Sequence, residues 1–269
     1  MGSAELRRVV IIAAMPGELL HLARGWKHEK RDGGVHLWRM TQGDAEWIAA
    51  CAGAGQAAAT RAFAEAEKEG PASAAISAGW VGALTAEFVP GRVYSVAGVI
   101  DSRTGERFEA GESVLANGGT PKAPSSWREP RRAGDEAMEK SAGLEVSRPK
   151  PWVVTSPVVA GLEEKRRLAS AYSAGLVDME AAAVARLATM RGIPFYCVKA
   201  VSDGHKARLP DFNRFLTAEG QFQLARFVFF SILRPWYWSE LIRMSENSSK
   251  ASQALRDSLL ENLRRPGAC

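Results

Sequence analysis

Short apolar runs that alternate with alanine-rich helical patterns constrain this fold more than any other feature of the sequence. Strand-like runs lie at residues 7–15, 72–77, 91–101, 151–159 and 193–204, and helical patterns between them include 52–70, 161–172 and 180–192. Strands separated by helices favour a mostly parallel sheet that is covered on both faces. We therefore predict an α/β fold with one domain over residues 8–218, in which helices flank a mostly parallel central sheet, followed by C-terminal helices at 219–265.

Four local patterns refine this prediction. GVHLWRM (34–40) and EWIAAC (46–51) are typical of a hairpin. PGELLHLARG (16–25) predicts a helix, because proline stands in its first turn and glycine at its end. SAGWVGAL (77–84) predicts a small-residue loop, and residues 102–150, which are rich in Gly, Pro, Ser and charge, predict a long loop or insertion.

The chain changes character towards its C-terminus. Residues 221–244 are aromatic and nearly apolar at helical spacing, and residues 248–265 predict an amphipathic helix. These segments are expected to pack on the core or on a second subunit of a homo-oligomer. An alternative is an apolar lid or a peripheral membrane contact, because Arg226, Arg234 and Arg243 flank the aromatic residues.

Composition limits the partners of the chain. The net charge of +5 over 269 residues is too mild to choose among acidic small molecules, membrane surfaces and nucleic acid. The basic residues form no stripe with interleaved aromatic residues outside the tail, so nucleic-acid binding is not predicted.

Cysteine usage and apolar runs suggest the cellular setting. Cys51, Cys197 and Cys269 are far apart and odd in number, which predicts neither a disulfide framework nor a metal site. The first apolar run is too brief for a signal peptide, and no run reaches the length of a membrane span. We expect a reducing, cytoplasmic setting and no cofactor.

A glycine turn, CAGAGQAA, carries G-x-G-x-x-A at Gly53, Gly55 and Ala58, between a strand and a helix. A dinucleotide fingerprint would also need an acidic residue at the end of the next strand, which here ends in Ser-Ala-Gly. A dinucleotide site is therefore not favoured. The turn is expected either to offer its N–H groups to an anion or hydroxyl, or to let helix and strand pack closely.

Two carboxylates stand where predicted strands end. Glu18 lies in the first turn of the first helix, where the helix dipole favours its charge and where a base could orient water. Asp203 follows the strand FYCVKAVS, and such a residue is often a turn former or a helix cap. Ala78 and Gly79 end a neighbouring strand, and small-residue loops at adjacent strand ends leave a crevice for a ligand.

Five motifs carry a resemblance to a known family. IIAAMPGE, CAGAGQAAA, SAGWVGAL, VDMEAAAVA and IPFYCVKAVSD follow one another across most of residues 8–215. In this order and approximate spacing the chain resembles the purine nucleoside phosphorylase and nucleosidase superfamily. Within it, the chain is similar to the branch that contains methylthioadenosine/S-adenosylhomocysteine nucleosidases.

This resemblance implies roles for individual residues. Glu180 would bind ribose hydroxyls, and Met179 would pack against the sugar. Asp203, beside Ser202, would donate a proton to N7 of the purine. Such a proton relieves the leaving group when the bond from the sugar to the purine breaks, and a positioned acid contributes about 10² to 10⁴-fold in rate.

The same resemblance implies further contacts. Glu18 would activate water in the hydrolytic branch, and Met15 would line the pocket. Cys51 stands where a serine often contacts the ribose or phosphate end. Val159 lies in the segment where the family places a phenylalanine near adenine.

Water and phosphate remain alternative nucleophiles. Phosphorylases of the family use arginines near the first loop, and AAMPGELL contains none, which favours hydrolysis of an adenosine-type nucleoside. The tail, however, is similar to that of hopanoid-associated nucleoside phosphorylases, which implies a phosphate-dependent enzyme acting on adenosyl-hopane as an alternative. A non-catalytic nucleoside-binding protein is the third hypothesis.

Overall fold

The structure is a computed structural model of the chain. It describes residues 7–111, 150–207, 211–215, 217, 220, 222–223, 226–227 and 238–263. Most of the predicted insertion at 102–150 and of the aromatic segment at 221–244 lies outside these residues.

Strands and helices alternate along the described chain. The strands are β1 (Arg7–Ala13), β2 (Lys27–Arg31), β3 (Val35–Gln42), β4 (Ala45–Cys51), β5 (Ala74–Ala83), β6 (Val93–Ser95), β7 (Gly98–Asp101), β8 (Arg107–Glu109), β9 (Trp152–Thr155), β10 (Leu176–Asp178) and β11 (Phe195–Asp203). The helices are α1 (Pro16–Leu19), α2 (Gln56–Glu67), α3 (Leu162–Tyr172), α4 (Ala181–Arg191) and α5 (Trp238–Leu263), with 3-10 turns at Asp32–Gly34 and Phe212–Phe215.

The strands form a single sheet in the order β2-β3-β4-β1-β5-β10-β9-β7-β8, and β11 joins β5 to β6. Parallel pairs connect β1 to β4 and β5, β11 to β5, and β9 to β10 and β7. Antiparallel pairs form the β2-β3-β4 edge, the β7-β8 and β6-β11 edges, and the junction of β5 with β10. The predicted α/β domain with a central sheet flanked by helices is confirmed, as is the hairpin between β3 and β4. The described sheet is mixed rather than mostly parallel, with five parallel and five antiparallel strand pairs.

Two apolar layers cover the sheet. Val10 and Ile12 of β1 face a layer that includes Phe63 of α2 and the alanines of α4. Val9 and Ile11 face the opposite layer, which is closed by α1 and α5. Because successive side chains of a strand point to opposite faces, β1 is buried on both sides. Such a strand must be apolar throughout, as the VVII run is.

Two local predictions were wrong. The helix expected over residues 16–25 ends at Leu19, and turns follow it. Leu22 and Ala23 are nevertheless buried, so the apolar spacing reflects packing against the sheet rather than a continuous helix. The loop expected over residues 77–84 is largely strand, since β5 pairs with β11 up to Gly82 and with β10 at its end.

The C-terminal helix packs on the domain. Ala251, Leu255 and Leu259 of α5 are buried in the same layer as α1. The predicted amphipathic helix is thus confirmed over residues 248–263, and the expectation that it packs on the core holds for this part. The domain boundary between residues 218 and 219 stays a prediction. Among the described helices, none combines the length and the hydropathy needed to cross a membrane.

Candidate active site

Glu18 is held at the carboxyl end of β1 by three backbone donors. The N–H groups of Ala14 and Met15 donate to its Oε2 at 2.7 and 2.8 Å, and that of Trp80 donates to its Oε1 at 2.6 Å. The residue is 4% exposed. Burial raises the pKa of Glu18, although these hydrogen bonds and the charge on Lys199 oppose the shift. A buried carboxylate with a fixed direction and a raised pKa is suited to accept a proton.

Gly79 shows how tightly Glu18 is enclosed. Its φ is +130°, and a Cβ at this position would lie 2.7 Å from Glu18 Oε1, so only glycine fits here. The side chain of Ala78 lies in the core beside Cys51. The structure thus places Gly79 next to Glu18, while a ligand contact by Ala78 stays a prediction.

Cys51 and Met15 lie around the same carboxylate. Cys51 ends β4 and is fully buried, and burial raises the pKa of its thiol, with the nearby Glu18 adding to the rise. This thiol is therefore neutral at physiological pH. Met15 is half-buried and donates its N–H to Glu18 Oε2. Sugar or phosphate contacts by either residue stay predictions.

The glycine turn points one of its N–H groups at Glu180. Gly53 and Gly55 have φ angles of 111° and 94°, which favour glycine. The N–H of Gly53 donates to the carbonyl of Ala14, and that of Gly55 donates to Glu180 Oε1 at 2.7 Å. The turn therefore joins β1 to the start of α4, and in this structure its Gly55 donor meets a carboxylate of the chain itself.

Glu180 lies in a strongly acidic environment. It is 6% exposed, and burial raises its pKa to about 8, with the neighbouring Asp178 and Glu18 acting in the same direction. The charge on Lys199 and the hydrogen bond from Gly55 act in the opposite direction. Met179, half-buried, separates Glu180 from Asp178 in the chain.

A buried ion pair between Lys199 and Asp178 lies next to Glu180. Lys199 Nζ lies 2.9 Å from Asp178 Oδ2, and both side chains are almost fully enclosed. Burial acts to lower the pKa of Lys199, but the acidic groups around it, of which Asp178 acts most strongly, together raise it, so the amine stays charged. Thr155 donates its hydroxyl to Asp178 Oδ1 at 2.7 Å, and Ala181 donates its N–H to Oδ2. The carboxylate of Asp178 is thus engaged by other groups of the protein.

Asp203 stands at the end of β11, where the pairing with β5 shifts register. Ser202 Oγ lies 2.7 Å from Asp203 Oδ1 and 3.2 Å from the carbonyl of Val81, so its one proton can go to either acceptor. Asp203 Oδ2 contacts Nζ of Lys165, which also donates to the carbonyl of Gly204 at 2.8 Å.

Strand β5 connects the sites of these carboxylates. Trp80 donates to Glu18, the carbonyl of the next residue lies beside Ser202, and Gly82 lies against Asp203. Glu180 is close enough to Glu18 for the two charges to affect each other. Glu18, Glu180 and Asp203 are therefore positioned around one region at the carboxyl ends of β1, β4 and β11.

The predicted base segment has an unexpected partner. The N–H of Val159 donates to Oδ1 of Asn213 at 2.7 Å, and Nδ2 of Asn213 donates to the carbonyl of Val159 at 3.1 Å. Val159 is half-buried, and Asn213 belongs to the 3-10 turn Phe212–Phe215. The backbone N–H and the carbonyl group of Val159 thus both face the side chain of Asn213.

A sequence profile described as the phosphorylase superfamily matches residues 8–230. The chain belongs to the phosphorylase superfamily. It is an enzyme of the kind that cleaves N-glycosidic bonds, and the family predicted from the five motifs is confirmed. A comparison with curated protein sequences gives no match.

Solved structures share the fold of this superfamily member at low identity. The 5′-methylthioadenosine/S-adenosylhomocysteine nucleosidase of Helicobacter pylori has a TM-score of 0.63 at 15% identity, covering 96% of this chain and 98% of its own. Futalosine hydrolase of the same organism has a TM-score of 0.63 at 16% identity, covering 97% and 99%. The 5′-methylthioadenosine nucleosidase of Arabidopsis thaliana has a TM-score of 0.62 at 18% identity, covering 96% and 95%.

Two polar residues of this phosphorylase-superfamily site, Lys165 and Asn213, were not predicted from the sequence. Lys165 was hidden because a lysine between two acidic residues and two arginines is typical of an exposed helix face. Asn213 follows an Asp-Phe pair in a segment without a clear period. Within the described residues, no group of three or more His, Cys, Asp or Glu side chains is placed to hold a metal ion.

Replacing Lys199 by methionine should lower the free energy of unfolding by about 3–5 kcal/mol, because Asp178 would stay buried without its cation. Denaturant unfolding followed by circular dichroism measures the loss. The double variant Lys199→Met/Asp178→Asn should recover part of it, since neither charge then remains. A loss below about 1 kcal/mol for the single variant would contradict the importance of this pair.

Proposed function

We propose that this enzyme hydrolyses the N-glycosidic bond of adenosine-type nucleosides and releases adenine, with methylthioadenosine and S-adenosylhomocysteine as candidate substrates. The observation that carries the proposal is the approach of Glu18 and Asp203 to neighbouring residues of β5, with Glu180 beside Glu18. The reaction needs three carboxyl groups: one that protonates the purine, one that binds the sugar and one that takes a proton from water.

Glu180 is the proposed sugar-binding residue. Cleavage makes the sugar resemble an oxocarbenium ion, and a nearby carboxylate stabilises that positive charge. Burial raises the pKa of Glu180, and the charges of Asp178 and Glu18 also disfavour its ionisation. A positive charge on the sugar opposes this effect, so the acidic group stabilises the transition state more than the neutral substrate.

Asp203 is the proposed acid for the purine. When its carboxyl group holds a proton on Oδ2, Ser202 can donate its hydroxyl proton to Oδ1. The carboxyl group is then oriented, and its proton can pass to N7 as the bond to the sugar breaks. Glu18 takes a proton from the attacking water, so adenine and a free sugar are the products.

The backbone N–H and carbonyl groups of Val159 are candidates for binding the purine base by hydrogen bonds. The carboxamide that they bind offers one acceptor and one amino donor side by side, which is also the pattern along the 6-amino edge of adenine. A bound adenine would replace the Asn213 side chain as the hydrogen-bonding partner of these two backbone groups. This pattern supports adenine over a 6-oxopurine.

Adenosine should be cleaved with a higher kcat/KM than inosine, because the 6-oxo group and N1–H of inosine reverse both hydrogen-bonding partners. A bidentate pair discriminates by about 1–3 kcal/mol, which corresponds to about 5- to 150-fold. Initial rates with both nucleosides measure the ratio. Equal values would exclude base recognition by Val159.

Phosphate-dependent cleavage is the second candidate function, and membership in the phosphorylase superfamily favours it. The C-terminal helix reaches this region, because Trp80 Nε1 donates to Ser252 Oγ at 3.0 Å. A long apolar 5′ substituent, such as that of a hopanoid, would lie beside this helix in the second candidate function. Membrane contact, homo-oligomerisation and a cytoplasmic setting stay predictions.

A purine-release assay separates the two functions. Adenosines with hydroxyl, methylthio, homocysteinyl and long alkyl 5′ groups are incubated with the enzyme, with and without inorganic phosphate. Adenine release without phosphate, yielding a free sugar, supports hydrolysis. Release only with phosphate, yielding a sugar 1-phosphate, supports the phosphorylase. Absence of release from every nucleoside under both conditions would contradict both functions.

A further inference from the structure

Lys165 is a buried amine in contact with the proposed acid. Its side chain is 2% exposed, and Nζ contacts Asp203 Oδ2 and the carbonyl oxygen of Gly204. Desolvation of an ammonium ion costs several kcal/mol unless partners compensate it. The protein therefore buries this amine against one particular carboxylate.

The other charged residues of α3 point elsewhere. Lys165 and Leu168 are the buried residues of this helix. Arg166 and Arg167 are exposed, and Arg167 pairs with Glu164 on the surface. An amphipathic helix buries its apolar side chains, so an inward lysine is an exception to the pattern.

The ion pair creates a difficulty for the proposed reaction. An acid must hold a proton before it can donate one, whereas an ammonium ion beside a carboxylate favours the charged, deprotonated carboxylate. The Lys165 amine contacts Oδ2, one of the two oxygens from which Asp203 could protonate the purine. Two groups that carry protons thus contact Asp203, the Ser202 hydroxyl at Oδ1 and the Lys165 amine at Oδ2, and of these the amine is the stronger acid.

We propose that Lys165 holds the proton that Asp203 delivers to the purine, and so acts as a positioning residue and proton reservoir behind the acid. This inference rests on the proposed function. Lys165 gives one proton to Asp203 Oδ2, leaving a neutral amine and a carboxylic acid. Asp203 passes its proton to N7 as the electrons of the broken bond move to the purine. The amine regains a proton from solvent after adenine leaves.

The surroundings favour a neutral product of this transfer. Burial penalises an uncharged amine far less than an ammonium ion, and the purine anion is a much stronger base than a carboxylate. Strand β11, which carries Asp203, packs on β5, β6, α4 and α5. The titratable and charged residues of these elements whose side chains the structure describes include Lys199 on β11, Tyr94 on β6, Glu180 at the start of α4 with Arg186 and Arg191 in it, and Glu246, Lys250, Arg256 and Asp257 on α5. All of them remain in the variants below, so differences between pH profiles report on Lys165.

The test is the pH dependence of kcat/KM for adenine release. Lys165→Met removes the reservoir, so Asp203 must take its proton from water, which becomes harder as pH rises. The variant should approach wild-type activity near pH 5.5 and lose about 10- to 100-fold relative to wild type near pH 8.5. Arg166→Met, on the exposed side of the same helix, is the matched control and should follow the wild-type profile.

Lys165→Arg separates proton delivery from simple charge pairing. Arginine keeps the positive charge but does not release its proton, so it should fail to restore activity. In the Asp203→Asn background, Lys165→Met should cause no further loss, because Lys165 acts only through Asp203. Circular dichroism establishes that each variant is folded, and Lys165→Gln replaces Lys165→Met if the latter is not.

Two results would overturn this inference while leaving the proposed function intact. One is a loss in Lys165→Met that is the same factor at every pH. The other is full activity of Lys165→Arg. A wild-type enzyme that releases no purine from any nucleoside would instead remove the proposed function, and this inference with it.

Discussion

Replacing Asp203 by asparagine should lower kcat for adenine release by about 10² to 10⁴-fold, the usual contribution of a positioned general acid. Asparagine keeps the size of the side chain, but it has one oxygen where Asp203 has two, so it can accept a hydrogen bond from only one of Ser202 and Lys165. It has no acidic proton for N7. The loss of kcat should reflect this missing proton, and some loss of stability is expected beside it, because Lys165 stays buried without its carboxylate.

Steady-state kinetics with adenosine or methylthioadenosine measure this effect, and circular dichroism checks that the variant is folded. Asp44→Asn is a suitable control, because Asp44 is an exposed aspartate paired with Arg7 at the start of β1. It should leave kcat unchanged. Wild-type turnover by Asp203→Asn would remove Asp203 from the reaction.

The sequence was sufficient for the residues that lie at strand ends. Glu18 and Asp203 follow strands whose apolar runs are unmistakable, and the carboxyl ends of parallel strands meet at one edge of a sheet. Glu180 could be placed through the motif VDMEAAAVA, because it stands where a short strand passes into an alanine-rich helix. Their approach to a common region is thus a consequence of topology that the strand pattern already implies.

Contacts between segments far apart in the chain could not be predicted in this way. Lys165 is separated from Asp203 by 38 residues, and Asn213 from Val159 by 54. In each case one partner is a polar residue whose local pattern is that of a surface position. Burial of a polar side chain depends on what the rest of the fold brings to it, and a local window of sequence does not contain this information.

The wrong predictions for α1 and β5 have a related cause. Gly79 and Gly82 lower the strand propensity of β5, yet pairing with β11 and β10 satisfies its backbone groups. Gly79 is needed there because a Cβ would lie 2.7 Å from Glu18 Oε1, and at Gly82 a Cβ would lie a tight 3.2 Å from Asp203 Oδ2. A loop was predicted from these glycines, but in the structure they leave room for carboxylates that approach β5.

Replacing Glu18 by glutamine should abolish phosphate-independent adenine release, with a loss of about 10² to 10⁴-fold if Glu18 is the general base. Burial raises the pKa of Glu18. A base acts in its deprotonated form, so wild-type kcat/KM should rise with pH through this raised pKa. The acidic limb of the profile should accordingly lie above the range of an ordinary glutamate.

The measurement is adenine release without phosphate across a range of pH, for wild type, Glu18→Gln and a control. Glu46→Gln is the matched control, because Glu46 is also buried but pairs with Arg8 near the start of β4, at the opposite edge of the sheet. Glutamine at position 18 keeps one oxygen for the Ala14, Met15 or Trp80 donors and replaces the other by an amino group. Some loss of stability is therefore expected, and unfolding must be measured alongside the rates.

A water nucleophile requires Glu18 to act as a base, whereas a phosphate nucleophile does not. Water must lose a proton when it attacks the sugar, whereas a phosphate anion already carries the charge it needs. A carboxylate enclosed by three N–H donors and beside no described arginine suits the first nucleophile and repels the second. Unchanged phosphate-independent release by Glu18→Gln would reject this role, and a gain in phosphate-dependent release would indicate that Glu18 excludes phosphate from the site.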